Sequence, residues 1–113
     1  MLPKSQRLNL KKSFKWVVAG QKLGDNYLQL YIRAGENAQP LVGIATSKNA
    51  FKKAVERNRA RRLVSAGFEG LYDKLPNGIN IVAMPRSGVL ELTSAEVTKV
   101  LEGLLVKGKI LGS

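Results

Sequence analysis

The sequence predicts a small α+β or α/β two-layer sandwich, with helices packed on a sheet. Three observations predict it. Apolar residues recur with helical spacing in three stretches. In three others they alternate or run together as strands do. Gly, Pro and Asn mark the boundaries between them. The resulting order is helix, strands, helix, strand, helix. The 113 residues suffice for one compact domain spanning 1–113 and are too few for two; 44% hydrophobic residues can fill its core.

The first helix is predicted from about Lys11 to Ala19. Leu10, Phe14, Val17 and Val18 form its apolar stripe, Lys11, Lys12 and Lys15 its wet side, and Gly20 its stop. Trp16 lies off the Phe14 stripe and covers an edge of the domain. Gly20 and Gly24 read as turn glycines. Tyr27 to Arg33 alternates as a strand, with Leu28, Leu30 and Ile32 toward the core and Tyr27, Gln29, Tyr31 and Arg33 on the other face. After a turn at Gly35-Glu36-Asn37, Leu41 to Thr46 forms a second strand, more buried and antiparallel to the first. A basic connection, Ser47 to Lys53, leads into a second helix that runs to about Tyr72. Pro76-Asn77-Gly78 is a strong turn signal, Ile79 to Met84 a third strand, and Pro85 closes it. The last helix begins with a capping box, Thr93 with Glu96, and carries the stripe Val97, Val100, Leu101, Leu104 and Leu105.

The second helix carries the main functional signal. Four of the seven arginines lie within Arg57-Asn58-Arg59-Ala60-Arg61-Arg62. On a helix, Asn58, Arg61, Arg62 and Ser65 share one stripe, and Ala60, Leu63, Val64, Gly67 and Leu71 lie opposite. One face can bury while the other presents guanidinium forks, which bind phosphate oxygens in pairs. The net charge is +11, and residues 1–62 carry all of it, with 14 of the 19 Lys+Arg against Asp25, Glu36 and Glu56. Such asymmetry points to a polyanionic partner, nucleic acid before an anionic membrane. No apolar run approaches the ~18–20 residues that span a bilayer, and the polar N-terminus lacks the apolar core of a signal peptide.

Catalysis by side chains is poorly supported. With no histidine and no cysteine, the chain lacks the commonest general base, the commonest zinc ligand and any thiol. Its eight carboxylates are dispersed, and no glycine-rich phosphate loop is present. No catalytic residue and no metal held by side chains alone is expected.

At Ser47-Lys48 and Ala54-Val55-Glu56-Arg57-Asn58-Arg59-Ala60-Arg61-Arg62 the sequence resembles the protein subunit of bacterial ribonuclease P. There a Ser-Lys-Lys segment after a strand precedes an Arg-Asn-Arg helix. Arg7-Leu8, Ser13-Phe14, Tyr31, Ile79 to Arg86 and Glu91-Leu92-Thr93 extend the resemblance across nearly the whole chain. Departures are a connection Asn49–Lys53 one residue longer and without glycine, Ser65 where a further arginine is common, Asn80 in place of an acid, and one residue fewer between Phe14 and Gly20.

The resemblance implies an α-β-β-β-α-β-α sandwich with a left-handed βαβ crossover. It implies a cytoplasmic ribonucleoprotein that removes the 5′ leader of precursor tRNA, with catalysis and Mg2+ held by the RNA subunit. Lys48, Lys52, Lys53, Arg57, Asn58, Arg59, Arg61 and Arg62 are then expected to bind the catalytic RNA, with Asn58 sharing its role between RNA and backbone capping. Phe14, Val17, Val18, Tyr31 and Lys48 are expected to line a leader-binding cleft. The partners are ribonuclease P RNA and precursor tRNA, with no membrane or DNA partner and a monomeric free protein. The principal alternative is a ribosomal or other structural RNA-binding protein.

Overall fold

In the computed structural model, which describes residues 2–112, the elements are α1 (Leu10–Val18), β1 (Gln21–Gly24), β2 (Leu28–Ala34), β3 (Leu41–Ile44), α2 (Ala54–Leu71), β4 (Ile79–Pro85) and α3 (Ser94–Lys107). This is the α+β class and the α-β-β-β-α-β-α order expected. Short 3-10 turns at Lys4–Gln6, Tyr72–Lys74 and Ser87–Glu91 join them.

The four strands form one mixed sheet in the order β1-β2-β4-β3. β1 and β4 flank β2 antiparallel, and β3 runs parallel to β4. The second predicted strand therefore runs opposite to the first without pairing with it, because β4 inserts between them. Parallel neighbours need a crossover, and α2 supplies it between β3 and β4. β1 was not readable from the residues. Leu23 is the only large apolar residue in Gln21–Gly24 and the other three positions are exposed, so no alternation marks the strand. Its connection to β2 is fixed by Asp25, whose Oδ1 accepts from the Tyr27 and Leu28 N–H groups at 2.8 and 3.0 Å.

Helices cover both faces of the sheet. Leu28, Leu30, Ile32, Val42, Ile81 and Ala83 join the main core with Val64 and Phe68 of α2 and Val97, Leu101 and Leu105 of α3. A Cβ at Gly67 would come within 2.6 Å of Leu101 Cδ1, so glycine there lets α2 and α3 approach closely. On the other face, Leu8 and Val17 pack on Val82, with Leu10, Phe14, Tyr31, Leu41, Ala45 and Met84 around them. Register explains the partition. Tyr31 lies opposite Val82, and Val82 opposite Gly43, so these three share the α1 face, while their neighbours point to the main core.

The caps follow the sequence. Asn9 Oδ1 accepts from Lys11 and Lys12 N–H at the start of α1. In α3 the Thr93 hydroxyl accepts from Glu96 N–H at 3.2 Å, and Glu96 Oε1 accepts from Thr93 N–H at 3.0 Å. That backbone N–H, foremost, holds the Glu96 carboxyl below the usual carboxylate range. Among the described residues no helix is long and apolar enough to cross a membrane.

Candidate nucleic-acid interface

The arginine helix is anchored before it begins. Ser47 folds the connection by accepting from Phe51 N–H through its carbonyl and from Ala50 N–H through its hydroxyl. Phe51 then enters the main core, only 1% exposed. Glu56 Oε1 accepts from Lys53 N–H at the start of α2. Arg57 Nη1 donates to the Phe51 carbonyl at 2.8 Å, which ties the helix back to the loop. Lys48, Lys52 and Lys53 remain exposed along this connection.

Beyond it, Asn58, Arg59 and Arg62 are exposed and Arg61 is half-buried. Arg61 donates to Thr46 Oγ1 at 3.0 Å and to Asn58 Oδ1 at 3.3 Å. Arg59 and Arg62 pair with no side chain among the described residues. Asn58 sits in the second turn, past the cap positions, so the backbone-capping share of its expected role is not realised; it holds Arg61 instead. Ser65 also departs from the predicted wet stripe. It is 2% exposed, and its hydroxyl accepts from Leu2 N–H. The N-terminal segment returns over this turn of α2, which helical periodicity cannot reveal. Phe68 was absent from the predicted buried side and is fully buried.

The expected cleft residues divide. Phe14 and Tyr31 are half-buried in the cluster between α1 and the sheet, each keeping some surface. Val18 is half-buried in the last turn of α1. Val17 does not line a cleft: it is 0% exposed, enclosed with Leu8 and Val82, and supports the wall from beneath. Lys48 lies exposed past the end of β3, where Ala45 continues the pairing by donating its N–H to the Ala83 carbonyl. Beside Tyr31, at the sheet end, an open hollow of about 400 Å³ is lined by Asn26, Gln29, Ser47, Ala50, Met84 and Arg86. Gln29 shares the outward strand face with Tyr31, as its alternation predicts, whereas no sequence pattern marks Asn26, Ala50, Met84 or Arg86 as neighbours. The pairing of Gln29 with Met84, one step along the face from Tyr31 and Val82, brings them together.

Trp16, at 41% exposure, lies at the other end of the strands. The Arg33 guanidinium carbon lies 4.6 Å from its ring centroid, and Arg33 donates to the Trp16 carbonyl. No three of His, Cys, Asp or Glu gather among the described residues to hold a metal ion.

The sequence model of the family described as Ribonuclease P matches residues 2–109. The chain belongs to the ribonuclease P protein family. It is 34% identical to the ribonuclease P protein component of Pseudanabaena sp. strain PCC 6903, over 98% of this chain and 97% of that one. The fold is similar to the ribonuclease P protein of Thermotoga maritima, with a TM-score of 0.78 at 25% identity over 89% of this chain and 96% of that one. It is also similar to that of Staphylococcus aureus, with a TM-score of 0.80 at 20% identity over 96% and 100% of the two chains; this second likeness is one of fold alone. Membership makes the chain a subunit of an endoribonuclease, and its family partner is ribonuclease P RNA.

Proposed function

We propose that this chain acts in the removal of the 5′ leader from precursor tRNA, using two surfaces for two RNAs. The cationic face of α2, with the lysines of the preceding connection, docks on the catalytic RNA. The face between α1 and the sheet, around Phe14, Tyr31 and Lys48, holds the single-stranded leader. The observation that carries this reading is the presence of two chemically different surfaces, which adjoin at the connection before α2. One is dense in guanidinium groups that no carboxylate pairs with among the described residues. The other offers half-buried aromatics on a sheet, a platform on which unpaired bases stack.

In this reading catalysis and Mg2+ belong to the RNA subunit. The protein neutralises phosphates, fixes the docking and orients the leader. The free protein is a cytoplasmic monomer and does not take DNA as its partner.

The test compares the reconstituted complex with precursor tRNA and with mature tRNA. Tyr31→Ala is expected to spare catalytic-RNA binding and to weaken precursor tRNA by roughly 1–3 kcal/mol, the worth of one stacked base, leaving mature tRNA unaffected. Equal loss for both tRNAs, or an unfolded variant, would refute the cleft assignment.

A further inference from the structure

A second apolar site lies outside that cleft, at the outer edge of β3. It is a cavity of about 200 Å³ walled by Leu8, Leu10, Val42 and Ile44, with Arg7, Arg61 and Ser65 as its polar groups. Its origin is traceable. Leu8 N–H bonds to the Val42 carbonyl at 3.0 Å, so the N-terminal segment lies along β3, but only one bridge forms, Arg7 with Val42. The segment then crosses to α2, where Leu2 N–H meets the Ser65 hydroxyl. Gly43 lets Leu10 close on the strand, since a Cβ there would come within 2.6 Å of Leu10 Cδ2. The small Ser65 side chain leaves the remaining space open.

The lining has two guanidiniums and no carboxylate. Arg7 uses its Nε–H on the Leu2 carbonyl, and Arg61 uses one N–H each on Thr46 and Asn58. A guanidinium has five N–H donors, so both keep donors for an anion. The space is smaller than the ~300–1,000 Å³ of a drug-sized ligand site and suits one ring system. An apolar slot beside free guanidiniums is complementary to a nucleotide: flat ring inside, phosphate outside.

We propose that this cavity takes the base of one unpaired nucleotide of the RNA docked on the arginine helix, with its phosphate held by Arg7 and Arg61. The inference rests on the RNA-binding reading of α2. It adds that part of the docking reads a base and not the backbone alone, as recognition of RNA by unstacked bases requires.

The test is base-specific chemical probing, with dimethyl sulfate and a carbodiimide, of ribonuclease P RNA bound to the full chain and to Ser65→Arg. The substitution adds a positive charge while filling the cavity. If charge alone mattered, binding would hold and no base would change. The cavity predicts that one unpaired base, protected by the wild-type chain, regains its free-RNA reactivity, while backbone protection along α2 persists. No difference at any unpaired base overturns the proposal. Should Ser65→Arg fail to fold by circular dichroism, the wild-type complex decides. A nuclear Overhauser contact between the Ile44 methyl and a nucleobase proton is expected, and an unshifted Ile44 methyl without such a contact overturns it. Loss of tRNA processing with base protection intact would refute the proposed function and leave this inference standing.

Discussion

At the residue scale, the arginines of α2 divide their donors between protein and partner. Arg62 is exposed and pairs with no side chain among the described residues, so Arg62→Ala is expected to leave stability within about 0.5 kcal/mol while weakening catalytic-RNA binding. Arg57 also donates to the Phe51 carbonyl. Arg57→Ala should weaken RNA binding and also lower the melting temperature, because it removes a hydrogen bond worth roughly 1–3 kcal/mol from a charged donor. Thermal unfolding and RNA titration of the two variants check this difference. Asn80, 4% exposed, is a second case. Its Nδ2 donates to the Arg33 and Gly78 carbonyls and to Asn37 Oδ1 at 3.0–3.3 Å. Three acceptors surround one amide, so the departure from an acid at this position has a structural reason. Asn80→Asp would set a carboxylate against them, and denaturant unfolding should show a loss of about 1–3 kcal/mol or more. The arginine run was legible because residue identity alone declares it. Val17 and Ser65 were misplaced because their burial depends on α1 and the N-terminal segment folding over distant elements.

At the element scale, the connection before α2 is anchored in the core by one side chain. Phe51 fills the main core from a segment that otherwise reads as a solvated basic loop. The loop is long and lacks glycine, yet its geometry is fixed by Phe51 and the two bonds to Ser47. Phe51→Ala is expected to cost about 3–5 kcal/mol and to release Lys48, Lys52 and Lys53 from a common surface, measurable as a lower unfolding midpoint together with weaker RNA binding. A lone aromatic among lysines shows no period, so nothing in the sequence marked it as core. The three helices and strands β2, β3 and β4 did show their periods. β1 did not, since an edge strand with one apolar residue is set by pairing with β2.

At the scale of the whole molecule, the +11 charge of residues 1–62 meets a neutral second half. The densest part of that charge lies on α2 and the connection before it. Catalytic-RNA affinity should therefore fall steeply with salt, with a log–log slope of roughly −0.7 to −0.9 per phosphate contact. Arg62→Ala should reduce the slope by about 1, measured by titration across salt concentrations. Leader preference, carried by Phe14 and Tyr31, should change far less with salt. The most direct measurement is cleavage of a 5′-leader precursor tRNA at low magnesium by a bacterial ribonuclease P RNA alone, by this protein alone, and by both together. The account predicts cleavage at the mature 5′ end in the mixture only. Cleavage by the protein alone, or no cleavage by the mixture with a folded protein and several ribonuclease P RNAs, would contradict it.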